Sequence, residues 1–227
     1  MPAAAERSLY VYALAGAGLP RRFSILGRRL QTLDFNGIAV VVEPRTAAGP
    51  VEPAELSTEA LERQHAVVTR LAARGAAVLP ARFGSVLTEE SLRALLERRR
   101  DEVLAALRRV RGCEQMTVRV FGEPEQPAAV LAPSSGTVFL QQRRAQAHHE
   151  TAEVAVIRRE FGDCVRAERV ERGRQGVRVT VFHLVPRRRF GTYQRRALVL
   201  QQKLRQGGLA VTITGPWPAF AFAPDLF

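Results

Sequence analysis

The sequence predicts an α+β protein of two domains, and three observations carry that prediction. Alternating or continuous apolar runs of strand length are interleaved with stretches of helical apolar spacing. The chain has 227 residues, enough for two units of ordinary size. A proline-rich segment, Glu123–Ser135 with Gly136 beside it, divides the pattern near its middle. The expected boundaries are an N-terminal domain over 1–123, a linker over 124–136 and a C-terminal domain over 137–227.

In chain order, Ser8–Leu14 is rich in β-formers and reads as the first strand. Asn36-Gly37 marks a turn, and Ile38–Val42 is a continuous apolar run, a second and buried strand. Ser57 opens a helix in which Leu61, His65, Val68 and Leu71 or Ala72 share a face, closed by Arg74-Gly75. The apolar run Ala76–Leu79 then stops at Pro80, and Arg82, Phe83 and Gly84 follow. Proline cannot donate to a ladder and glycine tolerates backbone angles that other residues resist, so this stretch fixes one path between two elements. Thr88 stands at an N-cap, with Glu89 and Glu90 in the first turn of a long helix ending at Gly112. Met116–Phe121 alternates as a half-buried strand, which makes the first half ββαβαβ-like.

After the linker, Val138–Phe161 is polar and basic, extended at first and helical later. Cys164–Val170 and Val177–Val185 form two strands around Gly173–Gly176. Phe190–Gln206 is a helix using Tyr193, Leu198 or Ala197, Leu200 and Leu204, stopped by Gly207-Gly208. Leu209–Ile213 is the last strand, and Thr214–Phe222 forms an aromatic end bracketed by prolines. The second half is therefore αββαβ-like.

Composition narrows the functions. Hydrophobic residues make up 46%, which argues against wholesale disorder, and no run approaches the ~20 apolar residues of a membrane span. The N-terminus lacks the basic region and long apolar core of a signal peptide, and two cysteines are too few for a disulfide scaffold, so the expected location is cytoplasmic. The net charge is +12, from 33 arginines and the single Lys203 against 22 carboxylates. Residues 1–123 hold 18 basic and 14 acidic residues and 124–227 hold 16 and 8, so two thirds of the excess lies in the second half.

No catalytic constellation is visible, and no metal or cofactor is expected. Gly16-Ala17-Gly18 lacks the third glycine of a dinucleotide fingerprint, and Gly84-Ser85 lacks the nucleophile-elbow frame. His148-His149-Glu150 has no second ligand cluster, and successive helical residues point about 100° apart. His65 reads as a satisfied buried histidine, and His183 follows Phe182 without a serine or cysteine elbow. Arg82 and Phe83 could anchor a partner, but the packing reading is preferred: Phe83 in the core and Arg82 paired with a carboxylate or carbonyls. Trp217, between Pro216 and Pro218, is read as a packing anchor that pins the tail onto the second domain.

Leu9–Tyr12, the helix with His65, Val78–Gly84 and Thr214–Phe222 together resemble the GvpF/GvpL family of gas vesicle accessory proteins. That resemblance implies an N-terminal mixed α/β domain and a C-terminal modified ferredoxin-like domain. It also implies a non-enzymatic role in gas vesicle assembly, with the hydrophobic shell protein and other accessory proteins as partners and no membrane. Pro80, Arg82, Phe83 and Gly84 would shape the first domain, and Gly215, Pro216, Trp217 and Pro218 would seal the second. The rival reading is a basic single-stranded nucleic-acid binder that stacks bases on sheet aromatics; Phe182 is available, but the full RNA-binding block of aromatics is missing.

Overall fold

The computed structural model describes residues 8–45, 57–122, 152–174 and 176–227. The linker 124–136, the His148-His149-Glu150 cluster and the early part of 138–161 lie outside the described residues. The chain divides into two compact units, Met1–Gln115 with Pro216–Phe227, and Met116–Gly215.

The first unit is a six-stranded sheet with a helix on each face. Its strands are β1 (Ser8–Gly16), β2 (Arg22–Ile25), β3 (Arg28–Phe35), β4 (Ile38–Pro44), β5 (Val78–Pro80) and β6 (Val86–Thr88), in the order β2-β3-β4-β1-β5 with β6 also on β1. Two-residue turns join β2 to β3 and β3 to β4, and all four turn residues, Leu26, Gly27, Asn36 and Gly37, have positive φ. That is the turn whose twist matches a right-handed hairpin. The β2–β3 hairpin is absent from the sequence reading. Arg22–Ile25 and Arg28–Phe35 are too polar to show a clean alternation, and Leu26-Gly27 does not carry the usual turn residues.

Helix α1 (Thr58–Ala73) starts at Ser57, whose side chain accepts from the Ala60 amide. Its buried positions are Gln64, Val67, Val68 and Leu71, packed near Tyr12, Ala13, Ala39, Val41 and Val78. Helix α2 (Glu89–Val110) is capped by Thr88 as predicted and meets β1, β5 and β6. It lies on the opposite face, where Arg93 sits over the Phe35 ring at 5.1 Å.

The second unit holds α3 (Ala152–Phe161), β8 (Ala167–Arg172), β9 (Val177–Pro186), α4 (Phe190–Gln206) and most of β7 (Cys113–Phe121) and β10 (Ala210–Trp217), whose outer ends belong to the first. The sheet order is β10-β7-β9-β8, and with two helices in the βαββαβ sequence this is a ferredoxin-like arrangement. Both helices pack on one face over Met116, Val118, Val120, Val179, Val181 and Val185. On the other face Phe182 is half-buried, opposite the exposed Arg169 and beside the buried Leu184.

One expectation is corrected here. The tail does not belong to the second unit: Pro216–Phe227 groups with the first, because its aromatic side chains find partners on α1. The two compact units meet in the chain between Gln115 and Met116, while the linker expected over 124–136 lies outside the described residues.

Candidate interaction sites

The stretch between β5 and β6 takes its shape from β1. Leu79 and Pro80 pair with Leu14 and Ala13, while Val86 and Leu87 pair with Tyr10 and Leu9. Both short strands thus sit end to end on one long strand, and Ala81–Ser85 must bow outward between them. The bow is held at each end by backbone bonds, Ala81 N to Tyr12 O at 3.0 Å and Val11 N to Ser85 O at 2.9 Å. Within it the Ser85 hydroxyl donates to Arg82 O at 2.6 Å, and Gly84 adopts φ +81°, the left-handed region that only glycine enters freely. Pro80 is buried at the end of β5.

Gln64 locks the bow from above. It is 3% exposed, its Nε2 donates to Ala81 O at 2.9 Å, and its Oε1 accepts from the Tyr10 hydroxyl. The Tyr10 hydroxyl in turn faces the Gly84 amide at 3.4 Å. Beside it, the Tyr12 hydroxyl donates to Glu43 Oε2 at 2.9 Å, and Arg28 Nε bonds the same carboxylate at 2.9 and 3.1 Å. Burial pushes both tyrosine hydroxyls above their usual range, for Tyr12 with the Glu43 charge adding to it, so both stay protonated donors. Sequence spacing could not reveal this chain of bonds, because a glutamine on a helix normally reads as solvated.

The lock leaves Arg82 exposed and Phe83 half-buried. The core position expected for Phe83 is therefore not found. Arg82 has no carboxylate partner among the described residues, and Phe83 is partly exposed near the middle of the bow, whereas Ala81 and Ser85 at its two ends are buried.

The second feature of this unit is an aromatic cluster on α1. The His65 ring stacks on Phe220 with centroids 5.5 Å apart and 11° between planes, and meets Trp217 edge-on at 5.6 Å. His65 is half-buried, not a core histidine, because the buried stripe of α1 runs through Gln64 and Val67 instead. Leu61, one turn earlier, is 49% exposed, Trp217 39% and Phe220 38%. The tail that carries these rings is tied down by the Gln115 side chain, which accepts from the Ala221 amide at 2.7 Å, and by buried Pro218 and Ala219. Gly215 takes φ +128° just before the tail turns off, and Pro216 is exposed. The result is a firmly held patch of large apolar side chains facing solvent, of the kind that marks interaction sites.

In the second unit, His183 is 1% exposed, with Nδ1 2.8 Å from the Tyr193 hydroxyl and Nε2 3.4 Å from Glu168. Phe161 stacks on Tyr193 at 4.2 Å, and Arg158 bonds Glu168 at 2.7 Å. The His183 and Arg158 hydrogen bonds hold the Glu168 carboxyl below its usual range against the opposing effect of burial. His183 and Tyr193 are thus buried, and the chain of bonds reaches the surface through the half-buried Glu168 and the exposed Arg158. No cluster that could hold a metal ion occurs among the described residues. Neither Cys113 nor Cys164 is in a disulfide. None of the described helices is long and apolar enough to cross a membrane.

Residues 8–224 match the family described as gas vesicle synthesis protein GvpL/GvpF. Gas vesicle protein L of Streptomyces sp. (strain CB03234) is 29% identical, the match covering 96% of this chain and 93% of that protein. Among solved structures, the gas vesicle protein GvpF from Anabaena sp. PCC7120 superposes with a TM-score of 0.71 at 14% identity, covering 96% of this chain and 98% of that one. GvpF from Microcystis aeruginosa gives 0.70 at 14% identity, covering 96% and 99%.

Proposed function

This chain belongs to the GvpL/GvpF family of gas vesicle synthesis proteins, and from that premise we propose that it serves gas vesicle assembly without catalysis, by binding the hydrophobic shell protein and shielding or delivering it. The observation that carries this reading is the exposed patch of Leu61, Trp217 and Phe220 around His65. An apolar subunit that is not yet assembled exposes surface that seeks a partner, and a rigid aromatic patch offers one at low entropic cost. Trp and Phe bury large areas, and the rings here are already held by one another and by the Gln115 anchor. Arg82 and Phe83, on their locked bow, are a second place in the same unit where a partner could be gripped.

The test is co-purification of the tagged protein with the shell subunit at low salt and at 0.5 M salt, where the screening length falls well below 10 Å. An apolar interface retains the subunit at both. The paired change Trp217→Ser with Phe220→Ser is expected to weaken retention by at least about tenfold, since each ring is worth roughly 1.5 kcal/mol or more of burial. If the wild-type protein neither retains the shell subunit nor keeps it in solution, the reading is wrong.

A further inference from the structure

Helix α4 has two charged flanks that are used differently. Its core stripe is Phe190, Tyr193, Ala197, Leu200 and Leu204. At one side of that stripe Arg196 bonds Asp163, and Lys203 Nζ meets Glu160 Oε2 at 2.6 Å, so these cations are spent on α3 and the turn after it. At 100° per residue, the face opposite the core holds Gly191, Arg195, Leu198, Val199, Gln202 and Gln206, with Arg205 at its edge on the side of Leu198. Leu198 is 68% exposed and Val199 43%, and the sequence reading that let Leu198 or Ala197 into the core is settled in favour of Ala197.

The whole helix, FGTYQRRALVLQQKLRQ, contains no carboxylate. Among the described residues Arg195 bonds only the neighbouring Thr192 hydroxyl, at 3.2 Å, and Arg205 has no acidic partner. Arg188 and Arg189, exposed in the 3-10 turn that leads into α4, are likewise without one. Two aliphatic side chains are therefore bracketed along the axis by Arg195 and Arg205, about 15 Å apart at 1.5 Å per residue.

We infer that this outward face of α4 is a second docking surface, and that its partner is an acidic amphipathic helix whose aliphatic stripe is flanked by carboxylates. Charge complementarity selects the occupant. The face resembles the side of α4 that already holds α3 and the turn after it, where apolar contact lies beside the charge pairs to Asp163 and Glu160. A nucleic acid would leave Leu198 and Val199 against phosphates, with no ring on this face for a base to stack on. A lipid surface calls for a broad apolar face with aromatic residues, and only two aliphatics are present. The face lies in the second unit, whereas the aromatic patch lies in the first, so the inference does not depend on the shell-protein reading.

The experiment uses the full chain and a labelled synthetic helix of about five turns, with leucine on one stripe and glutamate on both flanks. Its counterpart carries lysine for every glutamate, and binding is read by fluorescence anisotropy. The acidic helix is expected to bind at least about tenfold more tightly than the lysine helix, with affinity falling as salt rises. The pair Leu198→Ser, Val199→Ser should weaken it about tenfold, and Arg195→Glu with Arg205→Glu should reverse the preference between the two helices. All four positions are exposed, so circular dichroism and the unfolding midpoint should stay unchanged. Equal binding of the two helices, or no loss in either paired variant, overturns the assignment. So does tighter binding of single-stranded DNA or phosphatidylserine vesicles that is lost in the charge-reversed variant.

Discussion

Gln64→Ala is the change that best tests how the bow is held. It removes the donor to Ala81 O and the acceptor of the Tyr10 hydroxyl at a site that is 3% exposed. The Ala81 carbonyl is left in a buried residue and the Tyr10 hydroxyl keeps only a long approach to Gly84. A buried polar group without a partner costs about 1–3 kcal/mol, and the lost side-chain packing adds to it, so the expected total is roughly 2–4 kcal/mol. Tyr10→Phe removes one member of the same chain and should cost about 1 kcal/mol. Because the two share a bond, the double variant should cost less than the sum by about 0.5–1.5 kcal/mol.

Trp217 is the single tryptophan and belongs to the first unit, so its fluorescence follows this unit during urea unfolding. A local probe matters because a chain of two units need not unfold in one step. With a denaturant slope of about 2 kcal/mol per molar for a unit of this size, Gln64→Ala should lower the midpoint by roughly 1–2 M. Amide exchange at Ala81–Ser85 should rise in parallel. A midpoint shift under about 0.3 M, or strictly additive effects of the two single changes, would show that the bow is held by backbone bonds alone.

Three further outcomes follow from other parts of the molecule. Leu26→Asn should raise stability by about 0.5–1 kcal/mol in the same urea assay, because Leu26 is half-exposed at φ +51° and asparagine tolerates that conformation better. Glu168 has a carboxyl held below its usual range, so the stability it contributes is present above about pH 4.3 and is lost as pH falls through the folded value. Glu168→Gln should flatten that acid limb in a pH series of thermal unfolding while leaving a constant offset above it. Tyr193→Phe leaves His183 Nδ1 without its 2.8 Å partner in a dry site and should cost about 1–3 kcal/mol by far-UV circular dichroism, with Trp217 fluorescence unfolding little changed.

The parts of this fold that the sequence disclosed are those where one residue decides a local conformation. Thr88 and Ser57 cap their helices because their hydroxyls reach backbone amides three residues on, and that requires nothing from the rest of the chain. Asn36-Gly37 turns for the same reason. The errors lie where the deciding partner is remote. Gln64 reads as a surface residue until β1 and the bow are folded beneath it, and its neighbour His65 then moves off the core stripe. Trp217 reads as an anchor that pins the tail onto the second domain, yet its ring packs on a helix some 150 residues earlier in the chain, beyond the reach of local pattern. The β2–β3 hairpin was hidden because an edge of a sheet half in water can be built from arginine and serine as well as from valine.

The exposed surfaces obey different physics, and that difference orders the experiments. Leu61, Trp217 and Phe220 offer apolar area with little charge complementarity, so attachment there should survive added salt. The α4 face offers two aliphatics between arginines that have no carboxylate partner among the described residues, so attachment there should weaken as salt screens them. Family membership explains why some surface of this chain must meet gas vesicle proteins, but it does not say that one surface does all the work. A salt series on wild-type protein and on the two paired surface variants separates the contributions. If salt-resistant attachment disappears only in the Trp217 and Phe220 variant, and salt-sensitive attachment only in the Arg195 and Arg205 variant, the protein has two independent attachment surfaces. Such a chain would act as an adaptor between an apolar subunit and an acidic one, a role that neither surface could perform alone.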